Sequence, residues 1–406
     1  MATGDNVLQQ VATYQNSMLA YLQNLNCFVA TANTKFKNFQ NLTANLGATV
    51  DFSLPPRMNA TTGTLVANFA GVTQRSDSLT VDSSANTAYS FSNLQDVMNL
   101  SDQEWMRQFG KAATEELSAE IEADVATAAL NTYRCYGDGT SAAIDSYTEI
   151  AQAVSLFRNY GSAKGRLKFY LPDTIVPTII GNGLGQFVPN RNNEIAQSWE
   201  LGDFNGVDYY MSNLLPIHTA GYAGQNNTTL TFASINSAGD EITFTVADNE
   251  TDYVVENDIL TFQTDVRFLT FTGHKPSANS VQVRVTEDAT SAAGSITVKV
   301  TPALVSTSTD PTRNLSRALT TSDTAKVKNS HRVGLIVGGD ALYLAMPRLP
   351  EEIPFPTVNE IDPDTAVSIR MYYGSKFGMD ERGFVHDAIW GKKLVPEYAM
   401  RVAFPI

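Results

Sequence analysis

The sequence is short of charge, of cysteine and of histidine, and each shortage removes a class of function. Only 17% of its 406 residues are charged, with a formal balance of -14. A protein that grips nucleic acid through phosphate neutralisation needs a dense excess of Lys and Arg, so that mode is disfavoured and any contact with DNA is expected to be incidental. Cys27 and Cys135 stand alone, without a CxxC partner or a neighbouring histidine. That leaves no disulfide framework or zinc site to expect, and both read as buried free thiols. The four histidines, His218, His274, His331 and His386, show no HExxH-type spacing, and no G-x-S-x-G elbow presents a serine nucleophile. No run of about 18 apolar residues occurs and no basic leader precedes an apolar stretch, so the chain reads as cytosolic and soluble, without a membrane span. The N-x-[ST] triplets at Asn41, Asn59, Asn227, Asn249 and Asn314 then read as ordinary loop chemistry.

Weaker signals of a site also fall short. Gly181, Gly183 and Gly185 are followed by Gln186 to Pro189 where a helix would have to start, and no Lys-Ser or Lys-Thr pair closes the loop, so neither phosphate-binding fingerprint is met. Asp362, Asp364 and the run Asp248 to Asp252 offer carboxylate oxygens to a hard cation but lack the Gly and terminal Glu of a calcium loop; they read as solvated turns. No catalytic residue, cofactor or metal is expected, and an enzyme is not the reading.

What the chain does have is ample apolar material, 43% of its residues, arranged in stretches of contrasting texture. Val7, Val11, Tyr14, Met18, Tyr21, Leu22 and Leu25 recur at helical spacing and predict an amphipathic N-terminal helix. From Gly47 to Asn99 the tone turns to Thr, Ser, Asn, Gly and Pro with short apolar runs at Thr64 to Phe69 and Leu79 to Val81, which predicts strands and turns with little core of their own, in either a disordered loop or an arm that packs against a neighbour. Ser101 and Glu104 form an S-x-x-E capping box. Trp105, Phe109, Ala113, Leu117, Ile121, Val125 and Ala129 then recur every fourth residue, with Glu115, Glu116, Glu120, Glu122 and Asp124 assigned to the wet side. Gly137 and Gly139 stop a helix of roughly 45 Å, longer than a compact ball requires. A helical pattern through Ile150, Val154, Leu156 and Phe157, a strand at Leu167 to Leu171, and Asp173 as N-cap of Thr174 to Ile180 give α+β texture.

Between His218 and Ser330 period-two alternation takes over, in Leu230/Phe232, Ile242/Phe244/Val246, Leu260/Phe262, Val281/Val283/Val285 and Ile296/Val298/Val300. An inserted β domain of about five or six strands makes a small barrel. The polar stretch Ser306 to Ser330 reads as a return loop, and Val333, Leu335, Ile336 and Val337 resume the main body.

The closing segment Ile389 to Phe404, IWGKKLVPEYAMRVAF, resembles the end of the coat proteins of the Salmonella podovirus group, in which a "YGVK" or "WGVK" strand runs into a "P-E-x-A-x-R" tail. Ser212 to Pro216, SNLLP, resembles the strand end before that family's insertion domain, and Ile296 to Val327 resembles the insertion's last strand and loop. Length, order and insertion point agree; the first hundred residues carry no diagnostic string.

This resemblance to a tailed-bacteriophage major capsid (coat) protein implies an α+β chain with the Hong Kong 97-type fold. On that plan 1–45 is an N-terminal arm and 46–100 an extended loop. Residues 101–145 and 371–406 form a peripheral domain with spine helix 101–130, 146–217 and 331–370 an axial domain, and 218–330 the inserted β-barrel. The implied partners are further copies of the chain in hexamers and pentamers, a scaffolding protein, a portal and a decoration protein, around DNA enclosed without specific binding. The implied location is the virion, assembled in the bacterial host cytoplasm. Arg57, Arg75 and Asp77 of the extended loop are the expected intersubunit ion-pair residues. An encapsulin-type compartment shell, and a β-rich binding or adhesin protein, are the alternative readings.

Overall fold

The structure is a computed structural model that describes residues 27–34, 36, 46–58, 74–92, 111–140, 144, 146–161, 165–179, 203–204, 206–307, 310–349, 357–361, 367–375 and 381–406. The N-terminal helix, the Ser101 capping box, the run Thr64 to Phe69, the glycine loop at 181–185, and Asp362 with Asp364 lie outside the described residues. The chain divides into two compact units, Met1–Leu54 with Ser76–Ala128 and Leu342–Lys393, and Pro55–Arg75 with Ala129–Ala341 and Leu394–Ile406.

In the first unit a strand of unusual length, Glu381–Leu394, organises a five-stranded sheet. Ser368–Ser375 pairs along one of its edges, from Arg370↔Asp387 to Ser375↔Arg382. Ser83–Ser92 pairs with it from Ser92↔Glu381 to Ser83↔Trp390. Strands Thr49–Leu54 and Arg75–Thr80 form a separate pair within the sequence expected to be an extended loop. The helix Lys111–Ala126 packs on Ser83–Ser92 and turns Leu117, Ile121 and Val125 inward, on the row that the sequence predicts. It ends sooner than expected, because Thr127–Asn131 tightens into a 3-10 turn in which the Thr127 hydroxyl donates to the Asp124 carbonyl at 2.6 Å.

Two acidic residues assigned to the wet side of that helix meet partners far off in sequence. Glu122 is 3% exposed. Its Oε1 accepts from the backbone N–H of Cys27 at 3.0 Å and Phe28 at 2.8 Å, and its Oε2 from Val29 at 3.3 Å. These are the orphan donors at the start of the short helix Cys27–Thr31, whose sequence has no acidic residue in its first turn. A carboxylate distant in sequence therefore does the capping, and the half-buried Cys27 thiol adds a 2.9 Å bond to the same oxygen. Asp124 keeps 27% of its side-chain exposure but also bonds Trp390 and Lys392. Such long-range pairings have no local sequence period, and that is why the helical wheel misassigns Glu122 and misses the partners of Asp124.

The second unit joins a seven-stranded sheet to a closed barrel. At the centre of the sheet lies His331–Gly338, with Ala399–Phe404 on one side and Leu167–Pro172 on the other. Leu167–Pro172 runs parallel to Val207–Ser212. The strand Ala399–Phe404, grouped by the resemblance with 371–406 in a peripheral domain, thus pairs with His331–Gly338 through Arg332↔Phe404 to Val337↔Ala399. Helix Tyr147–Asn159 buries Ile150, Val154 and Phe157 against this sheet, as its spacing predicts, and Ala153 with them, whereas Leu156 is only half-buried. Asp173 does not act as an N-cap: it opens the 3-10 turn Asp173–Ile175 after Pro172, and Val176–Ile179 follows.

The barrel closes in the order Glu241–Thr245, Ser295–Thr301, Gln282–Val285, Ile259–Phe262, Thr324–Val327, Thr229–Ile235. Every alternating pair read from the sequence points into its core, including Leu230 and Phe232, Phe244 and Phe262, and Ile296, Val298 and Val300. The sixth strand, Thr324–Val327, was expected to be return loop. Its inward residues are only Ala325 and Val327, too short an alternation to stand out, yet it supplies the hydrogen bonds that Leu230 and Leu260 need on their open edges. The barrel also enters and leaves the sheet at one point, since His218 and His331 are register partners.

Two substitutions test these placements in thermal or denaturant melts of the full chain. Glu122→Ala should cost about 1–2 kcal/mol by orphaning the helix start, with Glu122→Gln costing less. Phe244→Ala should cost about 3–5 kcal/mol by opening a void inside the barrel.

Candidate functional site

The segment that carries the family resemblance supplies Lys392, Lys393 and Glu397 to ion pairs, and each half is built within its own unit. In the first unit, the Trp390 indole N–H donates to Asp124 Oδ2 at 2.7 Å, and the Lys392 ammonium binds Asp124 Oδ1. Burial pushes the Asp124 carboxyl up, but the bonds from Lys392 and Trp390 outweigh it and hold the group below the usual carboxylate range. Gly391 between them is required by space: a Cβ there would lie 2.2 Å from the Thr80 carbonyl oxygen. Lys393 reaches Asp77 at 3.1 Å.

In the second unit, Pro396 opens a 3-10 turn that aims Glu397 at two guanidinium groups. Arg57 Nη2 donates to Glu397 Oε1 at 2.7 Å, while Arg75 donates from Nη2 to Oε1 at 2.8 Å and from Nη1 to Oε2 at 3.1 Å. The Arg57 guanidinium also sits 4.6 Å above the ring of Phe271, which packs against Tyr398 at 5.5 Å. Beneath this bracket, buried Arg134 lies over the rings of Phe157 and Tyr160, at 4.9 and 4.2 Å, and donates to the Glu397 and Ala399 carbonyls.

The guanidinium of the motif, Arg401, has no exposed surface. Its Nη2 donates to the Leu130 carbonyl at 2.6 Å and its Nη1 to the Asn257 carbonyl at 3.1 Å, and burial pulls its pKa down to about 10. Beside it, His331 donates from Nδ1 to the Asn329 carbonyl at 2.6 Å and turns Nε2 toward Arg401 at 3.5 Å. Burial first and the Arg401 charge second depress His331 to about 3. The neighbouring His218 donates to Asp258 Oδ1 at 2.8 Å, and Asp258 Oδ2 accepts from the Gly221 and Val255 N–H groups. Asn257 and Asp258 belong to the barrel side, and His218, His331 and Arg401 to the sheet, so this buried polar cluster holds the insertion to its host.

Of the sequence-predicted site residues, Arg57 and Arg75 thus converge on one carboxylate, and Asp77 pairs with Lys393, all within a single chain. Glu397, Arg134, Arg401 and Asp258 were not singled out individually. The string P-E-x-A-x-R was the one signal for Glu397 and Arg401, and it marked a resemblance, not a chemistry; Arg134 and Asp258 had none. Histidines scattered in sequence are brought together at His218 and His331, with ring centroids 5.5 Å apart. Among the described residues, no group of three or more His, Cys, Asp or Glu converges closely enough to hold a metal ion. In the run Asp248 to Asp252, the Glu250 N–H is bound by the Ser291 hydroxyl oxygen and Asp252 takes a positive φ of 49°, as a tight turn demands.

The first unit has its own buried imidazole. His386 is 1% exposed, bonds the Tyr89 hydroxyl at 3.0 Å and is depressed to about 4 by burial. Because folding lowers the pKa of His331 and His386, the unfolded chain takes up those protons first. Stability from the neutral forms is intact above about pH 6.5 and falls as the pH drops toward 4. Replacing His386 by Gln should flatten this acid limb by up to about 3 kcal/mol, read as unfolding free energy across that pH range. Replacing Arg401 by Lys, whose single ammonium cannot span both carbonyls, should cost about 2 kcal/mol by the same measurement at pH 7.

No protein-family model and no curated protein matches the sequence. Among solved structures, the chain is similar to the capsid asymmetric unit of cyanophage Pam1, with 9% identity over 91% of this chain and 88% of that one and a TM-score of 0.46. It is likewise similar to a chain from Mycobacterium phage Che8, with 9% identity over 93% and 90% and a TM-score of 0.45. A third is the virus-like particle from Pyrococcus furiosus, with 7% identity over 95% and 96% and a TM-score of 0.40. These values lie below those at which a likeness carries weight, so the functional reading rests on the chain's own architecture.

Proposed function

We propose that the chain is the major capsid protein of a tailed double-stranded DNA bacteriophage, built on the Hong Kong 97-type plan with an inserted barrel. The observation that carries the reading is the order of parts along the chain. A strand pair comes first, then a helix packed on the strand Ser83–Ser92, then an α/β sheet interrupted by a closed barrel, then the long strand Glu381–Leu394, and last a C-terminal strand that joins the interrupted sheet. That is the order implied by the podovirus-type resemblance of IWGKKLVPEYAMRVAF, SNLLP and the 296–327 stretch. The division into arm, extended loop, spine, axial and peripheral domains belongs to this proposal.

Function on this reading is assembly. One sequence occupies hexamers and pentamers, each subunit spreads its contacts over many neighbours, and stability comes from the summed interfaces. Scaffolding, portal and decoration proteins are the proposed partners, and the virion is the proposed location, with DNA enclosed and not specifically bound. Arg57, Arg75 and Asp77 are proposed to contact neighbouring subunits, adding to the pairs they make in their own chain. The net charge of -14 accords with a wall that lets packaged DNA slide.

Gradient sedimentation and negative-stain electron microscopy of the purified full chain, with and without candidate scaffolding proteins, test this directly. Closed shells or hexameric sheets tens of nanometres across are expected; small oligomers under every condition would refute the proposal.

A further inference from the structure

The Glu397 bracket joins two positions that are far apart in sequence, and this has a topological effect. Arg57 and Arg75 flank residues 58–74, and both guanidinium groups lie within 3.1 Å of the same carboxylate. The three side chains are 15–28% exposed, sheltered enough to hold their geometry yet open to dissolved ions. Arg57 is held further by the Phe271 ring, and the backbone of Glu397 is fixed by Arg134 through its carbonyl. Arg57 and Arg75 are also the only basic residues between Asp51 and Lys111 except Arg107. No other cation close in sequence can take their place.

We propose that Glu397 is a staple that closes the base of the 57–75 segment, so that one carboxylate decides whether both ends stay on their own chain. With the staple shut, Arg57 and Arg75 are held at a single point on the second unit. With it open, Arg57 and Arg75 become free cations at the root of the segment, able to pair with acidic groups elsewhere. The consequence for assembly rests on the shell-subunit reading, whereas the staple itself stands on geometry within one chain.

The Arg57–Met58 bond offers a direct measurement, because trypsin must take the Arg57 guanidinium into its own specificity pocket and so competes with Glu397 for it. In the unassembled full chain, cleavage at this bond tracks the population in which the staple is open. Glu397→Gln should raise its rate at least about tenfold, the size expected for losing charge-assisted bonds. A wild-type rate in a variant that keeps its circular dichroism and melting temperature would overturn the proposal.

A second measurement needs no variant. Raising salt from about 0.05 to about 1 M should speed cleavage of the wild-type bond relative to a free peptide of residues 53–60, since salt weakens an ion pair. A relative rate that falls or stays level would mean that apolar packing holds Arg57, and the staple would be refuted. Sedimentation of the same samples reads assembly separately. A staple that opens as expected in a chain that never forms shells would leave the inference standing and sink the capsid reading, and the reverse result would do the opposite.

Discussion

A guanidinium group with no exposed surface must find oxygen atoms to bind, and the second unit is arranged around that demand at Arg401. Its two best acceptors are backbone carbonyls, at Leu130 before the sheet and Asn257 in the barrel, 2.6 and 3.1 Å away. A carbonyl can be offered only where the chain has a turn or a strand end to spare, so the position of this one side chain constrains where the barrel meets its host. The adjacent pair His218 and Asp258 completes the junction, with Asp258 saturated by two further backbone donors. Buried polar clusters of this kind add little net stability against an apolar alternative, but they punish any other docking of the same parts.

How far the sequence reveals this depends on the range of the interaction. Alternation in the barrel and the i, i+4 row at Leu117, Ile121 and Val125 are local periods, and they locate the cores correctly. The sixth barrel strand escapes because a four-residue run with Ala325 as an inward residue carries too little hydrophobic contrast. Glu122 and the partners of Asp124 escape for a different reason: on a helical wheel both acids belong with those that face water, and only the arrival of Cys27, Trp390 and Lys392 from elsewhere in the chain buries the first and pairs the second.

The candidate site shows the same limit. Arg57 and Arg75 were expected to pair with neighbouring subunits; within the chain their acid lies more than three hundred residues downstream, in a segment noticed for its resemblance alone. Four letters of that segment have a physical task. Gly391 permits contact with a neighbouring backbone, Pro396 starts a turn, Glu397 binds two arginines, and Arg401 fills the junction. A short string that meets so many independent constraints is hard to vary, whatever the protein does.

The pairing of His218 with His331 has one further implication. Antiparallel partners sit about 4.5–5.5 Å apart, so the barrel hangs from its sheet by two adjacent strand ends. A module attached in this way is a side branch: the path of the host chain is the same with it or without it. One appended domain can therefore be exchanged for another without rethreading the rest of the molecule, provided that Arg401 is given new carbonyls to bind and that Tyr133, Cys135, Tyr160 and Tyr398, which meet the insertion, are covered again.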